Sequence, residues 1–170
     1  TCGIALLSVA SPMAQDVVGM SPMAAASMVG FIGLMNGAGR IAWATVSDYI
    51  GRSSPYVLFF AIEILAFWQL ANVTSAFSFQ ILLLLIITCY GGGFSCMPAY
   101  LSDLFGTKQL SAIHGRILTA WGLAGIAGPL LLSVIYERTH SYSFTLYFFS
   151  ACFVVSLLLA AVLKLKGKTA

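Results

Sequence analysis

The sequence predicts an all-α protein whose helices cross a membrane. Hydrophobic residues make up 60% of its 170 residues and charged residues only 8%, whereas a soluble domain carries roughly 25% charged residues. The apolar runs, such as Ile81–Tyr90 and Phe144–Leu163, are long and continuous, unlike the short alternating strands of a membrane barrel. A soluble fold and a disordered chain are therefore excluded, and a net charge of +3 without a basic stripe argues against nucleic acid as a partner.

The spans are predicted from apolar runs and from the residues that interrupt them. The first, at residues 1–14, starts without Met or the basic region of a signal peptide, so we expect a fragment that begins within a helix. Ser21-Pro22 and Pro55 are typical helix starts, and polar turns separate the later runs. The further spans are expected at about residues 21–47, 55–73, 79–104, 111–136 and 144–163, with a tail at 164–170.

The distribution of basic residues predicts the orientation of these spans. Arg138 alone lies on one side. The other side carries Arg52, Lys108, Arg116, Lys164, Lys166 and Lys168. Because cytoplasmic loops collect Lys and Arg, we expect a multi-pass protein of the cell (inner or plasma) membrane with a cytoplasmic C-terminus.

Two charged residues are expected deep within the hydrocarbon, Arg40 in the second span and Glu63 in the third. A buried charge costs at least ~2.5–3.5 kcal/mol, so such residues face a cavity or a partner. Arg40, with Asn36 one turn before it on the same helix face, is a candidate for binding a carboxylate. The alternatives for Arg40 are an ion pair with Glu63 or snorkelling to the interface. Glu63 is either a proton or ion relay or a structural hydrogen-bonding partner.

Glycines and aromatic residues in the fourth and fifth spans mark a second candidate region. Tyr90 precedes three consecutive glycines, which indicate either a flexible point or close helix packing. Trp121 lies about ten residues into its span, too deep for an interfacial anchor, so we expect it to line a space between helices. The cysteines lack metal-ligand spacing, and we predict small buried core residues rather than a metal site.

A loop after the second span carries the sharpest motif, Asp48-Tyr49-Ile50-Gly51-Arg52. It resembles the loop signature of the major facilitator superfamily, G-x-x-x-D-[RK]-x-G-[RK], although Ala44 and Tyr49 depart from that pattern. Further motifs resemble the oxalate/formate antiporter family, relatives of the monocarboxylate transporters. These are Asn36-Gly37-Ala38-Gly39-Arg40, Tyr90-Gly91-Gly92-Gly93-Phe94, Met97-Pro98-Ala99, Asp103-Leu104-Phe105-Gly106-Thr107-Lys108 and Leu118-Thr119-Ala120-Trp121 leading to Gly128-Pro129.

This resemblance implies the C-terminal six-helix half of a twelve-helix carrier, with its first helix truncated and its N-terminal half missing. It implies a small carboxylate as substrate, bound by Arg40. We expect Asn36 to share its polar face and Tyr90 and Trp121 to shape the pocket, and we expect no cofactor. Oxalate-carrying members pair the arginine with a lysine in the eleventh helix, but the matching stretch around Trp121 has none. We therefore expect a monocarboxylate rather than oxalate.

The loop signature also predicts a cytoplasmic gate. Gly51 permits the tight turn, and Arg52 is expected to pair with Asp103 at the end of the fourth span in the outward-facing state. Asp48 is expected to face a neighbouring helix N-terminus.

Two other classes of function are alternatives to a transporter. A membrane solute sensor built on the same fold would usually add a soluble output domain, for which residues 164–170 are too short. A membrane enzyme would need a nucleophile or a metal cluster, and the sequence suggests neither. We expect that the protein is not an enzyme.

Overall fold

The computed structural model describes residues 2–166 and consists, over that range, of six α-helices without strands. They are α1 (Cys2–Val18), α2 (Pro22–Ile50), α3 (Ser54–Leu70), α4 (Ala76–Phe105), α5 (Leu110–Thr139) and α6 (Ser143–Lys166). α4, α5 and α6 are long and apolar enough to cross a membrane, and α1 and α3 are shorter apolar helices. The predicted all-α membrane fold is confirmed. Lys168, one of the basic residues on the predicted cytoplasmic side, and the rest of the predicted tail after residue 166 lie outside the described residues.

Local sequence sets the helix ends. Ser21 caps α2 by accepting a hydrogen bond from the Ala24 N–H at 3.3 Å, and Pro22 occupies the first turn, where its missing N–H costs nothing. Gly51 and Gly106 end α2 and α4 with φ angles of 86° and 74°, a region of backbone space that glycine adopts without strain.

Most connections are shorter than the sequence predicts, because helices continue into the expected turns. α2 continues through Ile50, so Asp48 lies in the last turn of a helix and not in the loop expected after Ser47. Gly51 is the first residue there whose backbone leaves the helical conformation. α1 similarly continues to Val18 rather than ending near residue 14, whereas α3 stops at Leu70, before the predicted residue 73.

Glycines allow α2 and α4 to pack closely, and this is the most extensive helix contact in the described chain. A Cβ added at Gly39 would lie 2.5 Å from the Thr88 carbonyl oxygen, and one at Gly92 would lie 2.7 Å from Cβ of Trp43. Gly91 packs in the same way against Asn36. The glycines at this crossing therefore serve close packing, the second of the two roles that the sequence left open.

α5 is the least embedded helix. Only Gly128 and Leu132 are buried within it, and both lie in the half nearer α6 along the chain. The other half leaves Leu118 and Trp121 exposed. By contrast, α3 and α6 interlock through aromatic side chains, with Phe67 lying 6.0 Å from Phe149 and 5.3 Å from Phe153 between ring centroids. The space left beside α5 is part of the candidate site.

Candidate functional site

Arg40 lies exposed on α2, with its guanidinium carbon 5.7 Å from the centroid of the Phe94 ring on α4. At this distance the ring face attracts the cation. Arg40 makes no ion pair with Glu63, because the one salt bridge among residues 2–166 joins Arg52 to Asp48. The internal ion pair that the sequence left open is therefore not formed, and the guanidinium edge remains available to a ligand.

The ring beneath Arg40 belongs to an aromatic cluster of Tyr90, Phe94 and Trp121. The Trp121 Nε1–H donates a hydrogen bond of 3.0 Å to the Tyr90 hydroxyl, and Phe94 meets the two rings edge-on at centroid distances of 5.3 and 5.5 Å. Tyr90 and Trp121 were predicted site residues, and the structure brings them together near Arg40. Phe94 was not predicted, although its spacing of four residues from Tyr90 on one helix face was the available signal.

Asn36 lies one turn before Arg40 but packs against α4. Its Oδ1 is buried next to Gly91 and has no hydrogen-bond partner among the described residues. A buried, unsatisfied acceptor costs about 1–3 kcal/mol. Asn36 therefore lies within the α2–α4 contact at an energetic cost, with its Oδ1 facing Gly91.

The predicted gate residues show one pairing in this structure, that of Arg52 with Asp48. Arg52 forms its salt bridge with Asp48, one turn earlier in the chain, and donates a hydrogen bond of 2.9 Å to Oγ of buried Ser47. It does not pair with Asp103 in this structure. Gly51 reverses the chain direction, which folds the Arg52 side chain back onto the end of α2 rather than across to α4.

Glu63 lies on α3 and is only 6% exposed. It lines a cavity of about 540 Å³ bounded by α1, α3, α4, α5 and α6, and the aromatic cluster forms part of the wall. Within residues 2–166, Glu63 has no hydrogen-bond or salt-bridge partner, and His114, on the same wall, has a buried Nδ1 that is also unpartnered. The sequence identified Glu63 as deep, but it did not predict this cavity.

The end of the bundle remote from the gate holds a polar cluster that the sequence did not predict. Tyr136 and Tyr142 both donate to Oδ2 of Asp16, at 3.3 and 3.4 Å, and their rings stack with centroids 4.3 Å apart. Burial, the Tyr136 hydroxyl and the Asp16 carboxylate together raise the pKa of Tyr142 to about 12. This cluster ties α1 to α5 and to the turn before α6.

No group of three or more His, Cys, Asp or Glu side chains suited to a metal ion occurs in the described part of the chain. The four cysteines are free, and Cys89 and Cys96 are buried. Cys96 donates a weak bond to the Trp43 carbonyl oxygen at 3.5 Å, so it serves the packing of α4 on α2.

Comparison with known proteins identifies one family over nearly the whole chain. The family model of the Major Facilitator Superfamily matches residues 1–169. Monocarboxylate transporter 9 of Pongo abelii is 26% identical over 140 residues, covering 79% of this chain and 27% of the relative. The oxalate:formate antiporter of Oxalobacter formigenes is 31% identical over 97 residues, covering 56% and 23%.

The name of a third relative refers to zinc and not to a carboxylate. The protein ZINC INDUCED FACILITATOR 1 of Arabidopsis thaliana is 30% identical over 121 residues, covering 66% of this chain and 24% of the relative. The chain thus spans about a quarter of the length of the curated relatives it matches. No solved structure matches it significantly.

Proposed function

Because the chain belongs to the Major Facilitator Superfamily, we propose that it is the C-terminal half of a secondary transporter that moves a small carboxylate by alternating access. The family membership and the names of two relatives, a monocarboxylate transporter and an oxalate:formate antiporter, support the substrate class. The observation that carries the proposal is Arg40, a cation held over Phe94 without a carboxylate partner among the described residues. An N-terminal six-helix half would complete the site at the midplane.

Arg40 suits a carboxylate for a geometric reason. The planar guanidinium presents parallel N–H groups that match the two oxygens of a carboxylate, and such bidentate pairs are stronger than neutral hydrogen bonds. The guanidinium carbon lies over the Phe94 ring, 5.7 Å from its centroid, and no carboxylate among the described residues pairs with Arg40, so its N–H groups can take a ligand. Asn36, four residues earlier on α2, is the candidate for a further polar contact.

The proposed preference for a monocarboxylate follows from the charge count. Arg40 is the one cation that the described residues place against the aromatic cluster. A second carboxylate would occupy a low-dielectric site without a fixed partner, which costs several kcal/mol even after relaxation. The apolar end of a lactate-like or formate-like ion would instead contact Trp121, the member of the cluster that is 45% exposed.

The remaining parts of the proposal concern coupling and gating. Glu63 is the candidate for coupling transport to a proton or ion, since it is the one carboxyl that is buried among the described residues. Asp48, Gly51, Arg52 and Asp103 form the proposed cytoplasmic gate, in which Arg52 exchanges Asp48 for Asp103 when the carrier faces outward. The protein would lie in the cell membrane with its C-terminus in the cytoplasm.

Uptake by the full-length protein in proteoliposomes tests the proposal. Arg40→Lys keeps the charge but loses the bidentate fork, so we expect it to lose most carboxylate uptake. Arg116→Lys, at an exposed position on α5, is the matched control and should transport normally. Near-normal uptake by the Arg40→Lys variant would refute carboxylate binding by Arg40.

A further inference from the structure

We propose that Asp16, Tyr136 and Tyr142 form a releasable latch, which holds α1 against the α5–α6 hairpin and opens during each transport cycle. The latch lies at the end of the bundle remote from the gate, and the proposed orientation places that end outside the cell. This role rests on the proposed function, but only on alternating access and not on the carboxylate substrate. Neither Arg40 nor the gate residues belong to the latch.

The Asp16 carboxylate occupies an unfavourable position in α1. Asp16 lies in the last turn of this helix, which ends at Val18, and its side chain is exposed. The partial charge at a helix C-terminus is negative, so a carboxylate is repelled there. The two tyrosine hydroxyls offset this repulsion only while α1 stays against the hairpin. The local preference of α1 therefore opposes the contact, and the contact can be lost at little cost.

The two hydrogen bonds of the latch are long. The hydroxyls of Tyr136 and Tyr142 lie 3.3 and 3.4 Å from the same oxygen, Oδ2 of Asp16. Hydroxyl-to-carboxylate bonds are typically about 2.5–2.7 Å. Both bonds are therefore weak, and the exposed carboxylate can exchange them for bonds to water.

The two donors, by contrast, are held together by the turn between α5 and α6. Their rings stack with centroids 4.3 Å apart, and His140 between them adopts a left-handed conformation with a φ angle of 50°. Within the same turn the Thr139 hydroxyl donates to the Ser141 carbonyl oxygen at 3.1 Å. When the latch opens, the tyrosines therefore stay together on the hairpin, and α1 is the element that leaves.

The contact between α3 and α6 at the same end of the bundle has the opposite character. The Tyr147 hydroxyl donates to Asn72 Oδ1 at 2.7 Å, and buried Ser150 donates to the Ile64 carbonyl oxygen at 2.9 Å. These are ordinary lengths for hydroxyl hydrogen bonds. The α3–α6 pair should therefore stay closed while α1 is released, and it provides a control at the same end.

Reversible cross-linking of the full-length protein in proteoliposomes tests the latch. In a cysteine-free background, a bifunctional methanethiosulfonate reagent joins Asp16→Cys to Tyr142→Cys, and Asn72→Cys with Tyr147→Cys is the control pair. We expect the latch link to lower lactate uptake about tenfold or more relative to the unlinked pair, and a reducing agent to restore it. The control link should leave uptake unchanged. Undiminished uptake with the latch closed covalently would overturn the proposal.

The accessibility of a buried thiol provides a second measurement, which needs no substrate. Met13, one turn before Asp16, is fully buried, so Met13→Cys should react with a membrane-impermeant maleimide outside intact cells only while α1 is released. Adding Asp16→Ala removes the acceptor and should speed this reaction about tenfold. Leu70→Cys, at a buried position on α3, should react slowly with and without Asp16→Ala.

An unchanged reaction rate of the Met13→Cys protein after Asp16→Ala would also overturn the latch. Failure of the proposed carboxylate site would leave this measurement intact, because Arg40 takes no part in it. The two proposals therefore fail separately.

Discussion

Gly92→Ala is the sharpest test of the packing that positions Arg40. The added Cβ would lie 2.7 Å from three atoms of Trp43, about 0.7 Å short of the 3.4 Å at which ordinary contact begins. Trp43 cannot simply rotate away, because its ring packs edge-on against Phe59 at a centroid distance of 4.8 Å. α2 must therefore shift relative to α4, and such overpacking costs typically ~1–3 kcal/mol.

The shift also reaches the proposed carboxylate site. Arg40 lies one turn before Trp43 on α2, so a displacement of roughly 0.7 Å moves its guanidinium relative to Phe94. Since a misplacement of ~1 Å can cost about 10²-fold in a preorganised site, we expect uptake to fall by roughly tenfold.

Gly93→Ala is the matched control, because it adds the same methyl group to the next residue of α4, where no atom lies within 4 Å. The comparison requires the melting temperature in detergent and uptake in proteoliposomes for wild type and both variants. Gly92→Ala should show a lower melting temperature and lower uptake, and Gly93→Ala should show neither. If the two variants have the same melting temperature and the same uptake, Gly92 does not lie in a close contact with Trp43.

Three further predictions follow from the site and its surroundings. Trp121→Lys replaces one ring of the aromatic cluster with a second cation. It should shift competition for uptake from lactate toward oxalate. If oxalate already inhibits uptake by the wild type better than lactate does, the one-cation argument is wrong. Arg52→Cys with Asp103→Cys should cross-link in the outward-facing carrier and not in the inward-facing one, and no cross-link in either state would remove the gate pairing. Since the pKa of Tyr142 is raised from 10 to about 12, its contribution to folding is complete below pH 10 and falls as the pH rises toward 12. The melting temperature should therefore drop less steeply between pH 10 and 12 in Tyr142→Phe than in wild type. If the two proteins show the same dependence of melting temperature on pH, the ionisation of Tyr142 does not affect stability.

Much of the fold could be predicted from the sequence because its signals are local. Ser21-Pro22 predicts the start of α2 through a cap and a proline, and both act within one turn. The family resemblance, drawn from motifs around Arg40 and Gly51, is confirmed by the match over residues 1–169. The end of α2 was missed by three residues because Asp48 continues the helix and pairs with Arg52, and sequence alone does not show which partner an exposed carboxylate takes.

The candidate site was predictable only in part. Arg40 and Glu63 stand out in sequence because charges are rare in apolar spans. Their separation could not be predicted, since it depends on which faces α2 and α3 present to the bundle. The cavity beside Glu63 is harder still to predict, because it is lined by residues of five helices that no local pattern brings together. The Asp16 cluster joins residues more than a hundred positions apart, and no local pattern encodes such a contact.

Because α5 is buried only near its C-terminal end, its N-terminal half can tilt about that end. It is fastened near one end, where Leu132 is buried and Tyr136 bonds Asp16, while the half that begins at Leu110 is not buried. The distance from Leu132 back to Leu110 is about 33 Å at 1.5 Å per residue, so one degree of tilt about the fastened end moves the tip by about 0.6 Å. Trp121 lies halfway along this arm. A small rotation at the Asp16 cluster would thus both widen the Glu63 cavity and carry Trp121 away from Tyr90, without any change in α2 or α4.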